Sequence, residues 1–193
     1  IGAVSAVAVT VTLHTHSYHR FQLPPRLPGS IGLILGGDAL GLEPLALGGL
    51  LVLGGGAAFL LLPFTGRLVD RRGYQAALVL GLFLLALVMA RLGTGPHPYE
   101  LPAAALLGGL GFSLFLPGWN GLLAKNLPQE NRAAIWGSLM TVEGLGLALG
   151  PVAGGLLWEA FGLPAPFLAG SGIFLALSLF YLRLFRVRKL WRR

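Results

Sequence analysis

The chain has 193 residues, 55% of them hydrophobic and 11% charged, with a mean hydropathy of +0.77. About a quarter of the residues of an ordinary soluble domain are charged, so this composition excludes one and points to a membrane protein. The net charge of +7 is no sign of nucleic acid, since the cations cluster beside apolar spans, and the lack of cysteine excludes disulfides, thiolate metal sites and a thiol nucleophile.

A helix needs about 20 apolar residues to cross roughly 30 Å of hydrocarbon. The chain opens at Ile1 on an apolar run, 1–13, with neither the basic leader nor the cleavage site of a signal peptide. Its start at Ile suggests a fragment or a processed product. The polar stretch 14–20 follows, and Pro24, Pro25 and Pro28 end any helix there. Residues 1–44 therefore read as an irregular first crossing (1–23) and a loop. The competing reading makes 1–13 the stub of a truncated helix and puts a short re-entrant piece in 31–64. His16 and His19 are spaced to share a helix face with His14 nearby, but no close carboxylate completes a metal site, and solvated loop histidines are the simpler reading. Asp38, among glycines, reads either as a vestibule residue or as a plain loop carboxylate.

Five clear crossings follow, at 45–64, 75–92, 102–123, 134–157 and 162–185, and then a basic tail, 186–193. The stretch between the first two of these, GRLVDRRGYQ at 66–75, carries four charges. If the opening stretch faces the cytoplasm, Arg67, Arg71, Arg72, Lys125, Arg132 and the six basic residues from Arg183 to Arg193 all lie inside. Only Arg20, Arg26 and Arg91 lie outside, a bias that sets both termini in the cytoplasm. The outer loops 93–101 and 158–161 hold Glu100 and Glu159, and Trp158 suits an interface. The tail reads as a topology signal and a contact for anionic lipid.

Gly66-x-x-x-Asp70-Arg71-x-Gly73 resembles the loop motif of the major facilitator superfamily, with Tyr74 and Gln75 where that family often has basic residues. Gly146, Gly150, Pro151, Gly154 and Gly155 follow the glycine–proline helix pattern of its drug–proton antiporters. Four-residue spacing puts three of those glycines on one face for close helix packing, and Pro151 removes a backbone donor. Leu127-Pro128-x-x-x-Arg132 and the segment Phe161 to Phe167 also look like the family, so the resemblance covers residues 40 to 185. It implies an all-α membrane protein, six transmembrane helices forming one half of the fold as two inverted three-helix repeats. The incomplete loop motif, the basic tail and the lack of an arginine within 102–123 favour the C-terminal half; the strong glycine–proline pattern favours the N-terminal one. The implied function is secondary active transport by alternating access, as proton-coupled efflux in the bacterial plasma membrane, with no cofactor. The implied partners are a small-molecule solute, protons, the lipid bilayer, and either the missing six-helix half or a second copy.

Among possible site residues, Glu143 stands near mid-membrane in the 134–157 crossing. An acidic group there costs about 3 kcal/mol, which makes a functional role the default, and its carboxyl could carry the coupled proton. A structural, hydrogen-bonded glutamate is the plainer reading. Trp119 and Asn120, after Pro117-Gly118, could contact a solute where the helix is broken, or could be ordinary packing. Gly66, Asp70, Arg71 and Gly73 read as a conformational gate or as topogenic charge. Ser171, between two glycines, invites an intramembrane-enzyme reading, but no histidine in a later span could serve as its base. Packing is the better account of that serine. A non-transporting membrane subunit and a half-size transporter acting as a dimer are the remaining alternatives.

Overall fold

The computed structural model describes residues 44–190 other than 129 and 131. The crossing expected over 1–23, the loop after it, the histidine cluster, Asp38 and the last three residues of the basic tail lie outside the described residues. Five long helices form: α1 (Pro44–Arg72), α2 (Tyr74–Gly93), α3 (Leu101–Asn126), α4 (Arg132–Phe161) and α5 (Pro164–Leu190). A single turn of 3-10 helix, Pro98–Glu100, leads into α3. All five long helices are long and apolar enough to cross a membrane, in the five places the hydropathy demanded.

The largest departure from expectation is at the end of α1. The helix does not stop at residue 64 but continues through Gly66, Asp70 and Arg71 to Arg72. Twenty-nine residues at a rise of about 1.5 Å each exceed the hydrocarbon core, so the charged turns extend into the headgroup layer. Arg71 and Arg72 in the last turn suit the negative end of the helix dipole. The chain then reverses on one residue. Gly73 takes φ 88°, ψ 156°, a conformation essentially closed to side-chain-bearing residues, while its N–H still donates to the Val69 carbonyl at 2.8 Å. The charged stretch is therefore a helix end and a one-residue turn, not an extended loop.

Neighbours in space are not neighbours in sequence. α3 lies between α1 and α2, α2 also packs along α5, and α4 touches α5 lightly, giving the order α1, α3, α2, α5, α4. The core sits where α2, α3 and α5 meet, around Leu78, Leu82, Leu85, Phe115 and Phe174. In lipid there is no hydrophobic drive between helices, so close backbone approach and interhelical hydrogen bonds must hold them. Both are present. A Cβ on Gly81 of α2 would stand 2.5 Å from the Phe115 backbone nitrogen of α3, and one on Gly109 would run into the Gly54 carbonyl of α1. Ser171 and Ser178, two turns apart on α5, donate to the carbonyls of Ala86 (2.8 Å) and Val79 (3.0 Å) on α2. Each hydroxyl thus finds a backbone acceptor in a medium that offers no water. For Ser171 this is the packing role expected of it.

The two ends of the bundle differ in charge. At the end carrying Gly73, the Lys125 ammonium lies 5.8 Å from the centroid of the Tyr74 ring, and that ring meets Phe185 edge-on at 5.8 Å. Arg71, Arg72, Lys125, Arg183 and Arg186 are all exposed at this end. At the other, Arg91 pairs with Glu100 and also donates to the Thr94 hydroxyl at 2.8 Å, clasping the turn from α2 to α3.

Candidate functional site: a cavity between α3, α4 and α5

A cavity of about 340 Å³ opens between α3, α4 and α5, where among the described helices α4 makes only light contact. Trp119, Asn120, Phe115 and Leu123 of α3 form one wall. Trp136, Met140 and Glu143 of α4 face them, and Phe174, Leu177 and Tyr181 of α5, with Leu82 of α2, close the floor. Glu143 stands out in the sequence as a mid-membrane acid, and Trp119 with Asn120 as the pair that follows Pro117-Gly118. The fold brings all three to this one place.

The local reasons are plain. α3 enters at Leu101 and descends past Pro117, so Trp119 and Asn120 fall in its last two turns, toward the end that bears Lys125. Phe115 lies buried one turn earlier, and its ring stacks on Trp119 with centroids 6.4 Å apart and planes 19° apart. That contact holds the indole against the core while leaving it half-buried. α4 starts from the same end, and Glu143 follows eleven residues after Arg132, about 16 Å along the axis at helical rise. Glu143 is itself half-buried, so its carboxylate borders the cavity without being sealed into the core. Asn120 is exposed, and its amide has two donors and an acceptor to offer. Apart from Asn120, Glu143, the indoles, the Tyr181 hydroxyl and the Met140 thioether, the lining is hydrocarbon and aromatic carbon. Such a site can enclose an apolar or aromatic body and address it with one carboxyl and one amide.

Trp136, Met140, Phe174 and Tyr181 escaped the sequence reading. A signal for two of them was present: Trp136, Leu139, Met140 and Glu143 recur at i, i+3, i+4 and i+7, one stripe of α4. In a span apolar on every side that stripe carries no contrast, and only Glu143 stands out.

The other motif residues lie elsewhere. Gly66, Asp70, Arg71 and Gly73 are at the basic end of the bundle, outside the cavity lining. No side chain caps α2, and among the described residues no ion pair involves Asp70, which is exposed. Tyr74, where a basic residue would complete the motif, is buried and packs on Phe185 and against Gly121. On α4 the glycine–proline run continues beyond Glu143. Among the described residues a Cβ on Gly146 would meet nothing, Gly150 and Gly154 are half-buried, and Pro151 and Gly155 are buried. Among the described residues no cluster of histidine and carboxylate side chains could hold a metal ion.

The family model described as Major Facilitator Superfamily matches residues 5–192. Proteins named "Multidrug resistance protein MdtG" from Salmonella arizonae, Salmonella newport and Salmonella typhi are each 37% identical over 125 residues, 63% of this chain. The matched stretch covers 30% of the length of each of these relatives.

Proposed function

The chain belongs to the Major Facilitator Superfamily, and we propose that it forms one six-helix half of a proton-coupled efflux transporter, the C-terminal half, with both termini in the cytoplasm of a bacterium. The half would comprise two inverted three-helix repeats, completed by the crossing in 1–23. It would rock against a second half, an additional six helices or another copy, to expose the solute site to each side in turn. The observation that carries the reading is the meeting of Glu143, Trp119 and Asn120 at one aromatic cavity. The named activity of the 37%-identical relatives, multidrug resistance, supports a small amphiphilic solute.

In this mechanism Trp119 and the other rings receive the apolar body of the solute, and the Asn120 amide orients its polar group. Glu143 exchanges its proton as the site changes sides: the carboxylate takes up H+ from the outer medium when it faces outward and yields it to the cytoplasm when it faces inward. Solute and proton compete for the one carboxylate, so they move in opposite directions. The end of α1, with Gly66, Asp70 and Arg71 closing on Gly73, acts as the gate at the cytoplasmic face.

The test uses the full-length protein in liposomes with a fluorescent lipophilic dye. Under an imposed proton gradient, Glu143→Gln is expected to abolish concentrative dye transport while dye exchange without a gradient persists. Asp70→Asn is expected to slow both. Gradient-driven flux of normal size in Glu143→Gln would remove the coupling role, and unaltered rates in Asp70→Asn would remove the gate.

A further inference from the structure

Thr65 immediately precedes the motif at the end of α1 and has no part in the resemblance. Its hydroxyl is buried and lies within reach of three carbonyls, Leu61 (3.1 Å) and Leu62 (3.2 Å) on its own helix and Ser113 on α3, of which Ser113 is the nearest at 2.6 Å and accepts the hydrogen bond. That acceptor is not an arbitrary one. In an α-helix the carbonyl of residue 113 receives the N–H of residue 117, and residue 117 is Pro117, which has none. A side chain of α1 thus supplies the donor that α3 cannot supply for itself. Ser113 is wholly buried, and its own hydroxyl is turned to the Leu110 carbonyl at 2.9 Å, so it does not fill the vacancy. In lipid, a proline inside a helix is tolerated when a neighbour satisfies the freed carbonyl in this way.

The position of this bond gives it a consequence. On one side is Thr65, next to Gly66; on the other, Ser113 precedes Trp119 and Asn120 by nearly two turns and Pro117 by less than one. We propose that Thr65 is a positioning residue: by replacing the missing Pro117 donor it sets the course of α3 where Trp119 and Asn120 meet the cavity, and it ties that wall to the motif-bearing end of α1. The inference rests on the reading of the cavity as the solute site.

Four variants of the full-length protein test it: Thr65→Val, Thr65→Ser, Pro117→Ala, and Pro117→Ala combined with Thr65→Val. Two readouts are taken: equilibrium binding of the fluorescent lipophilic dye, and amide hydrogen exchange over residues 113–120 in the absence of dye. Thr65→Val is expected to speed exchange in that segment and weaken dye binding about three- to tenfold, the span of an interhelical hydrogen bond in a membrane. Thr65→Ser, which keeps the hydroxyl, restores both. In Pro117→Ala the helical N–H returns, so adding Thr65→Val should change neither readout further. Equal losses from Thr65→Val in the proline and alanine backgrounds, or wild-type exchange in Thr65→Val alone, would overturn the assignment. Faster exchange in a protein whose cavity binds no dye, even as wild type, would instead sink the solute-site reading and leave the hydrogen-bond relay standing.

Discussion

Gly73 compresses the reversal between two membrane helices into one residue. With φ 88° and ψ 156° it occupies a region in which a Cβ meets the backbone of its own chain, although nothing else crowds it. Gly73→Ala should therefore cost about 1–3 kcal/mol through local backbone strain alone. Thermal unfolding in detergent is the measurement, with a lower midpoint expected and no dependence on dye. A midpoint equal to wild type would show that the turn can relax into an ordinary conformation. Tyr74 adds a second residue-scale constraint. It departs from the family motif, and its ring is spent on Phe185, Lys125 and the close approach at Gly121 rather than on charge. From the sequence alone this position looked like a weakened motif; in the fold it is a packing residue that also anchors α3 to the start of α2.

Helix against helix, the closest approaches among the described residues include glycines that spacing did not single out. The chain has thirty glycines, and the four-residue repeat at Gly146, Gly150 and Gly154 is the most regular pattern among them. Among the described residues a Cβ at Gly146 meets nothing within 4 Å, whereas at Gly81 it would lie 2.5 Å from the Phe115 nitrogen and at Gly118 2.7 Å from that of Leu78. Gly81 and Gly118 allow α2 and α3 to approach at the backbone, and Gly109 does the same for α3 and α1. Gly81→Leu should thus unfold or severely loosen the bundle, while Gly146→Ala should leave it intact or stabilise it by about 0.5–1 kcal/mol, since alanine is the better helix former and no described atom crowds the site. Comparing thermal midpoints of the two variants decides this; equal effects would contradict the packing order. The existence of the crossings was legible because twenty apolar residues in a row have few other uses. The extent of α1 was not, because Arg67, Asp70 and Arg72 mark the edge of the hydrocarbon, not the end of a helix. The pairing of helices was also hidden, since it depends on which of many small residues meet across the bundle. Two cavity residues with polar groups, Asn120 and Glu143, were legible for the opposite reason: a polar group in an apolar span is costly enough to ask for an explanation.

For the whole molecule, charge and fold together make a statement about orientation. The exposed cations Arg71, Arg72, Lys125, Arg183 and Arg186 gather at the end of the bundle marked by Gly73, and there Tyr74, Phe185 and Lys125 join α2, α3 and α5. The opposite end carries Arg91, neutralised by Glu100. Lysine and arginine in short loops are retained on the cytoplasmic side, so the orientation we propose sets the Gly73 end in the cytoplasm and the α2–α3 turn outside. Gln75 is exposed at the first end and Tyr99, 77% exposed, at the second. The chain contains no cysteine, so single cysteines placed by Gln75→Cys and Tyr99→Cys report without background from its own sequence. In intact cells a membrane-impermeant maleimide should label Tyr99→Cys and spare Gln75→Cys until the membrane is opened. The reverse pattern would invert the proposed gate and, with it, the side from which Glu143 takes its proton. Labelling of both sites in sealed cells would break the assignment of these two ends to opposite sides, and the bundle could not then span the bilayer in the order α1, α3, α2, α5, α4.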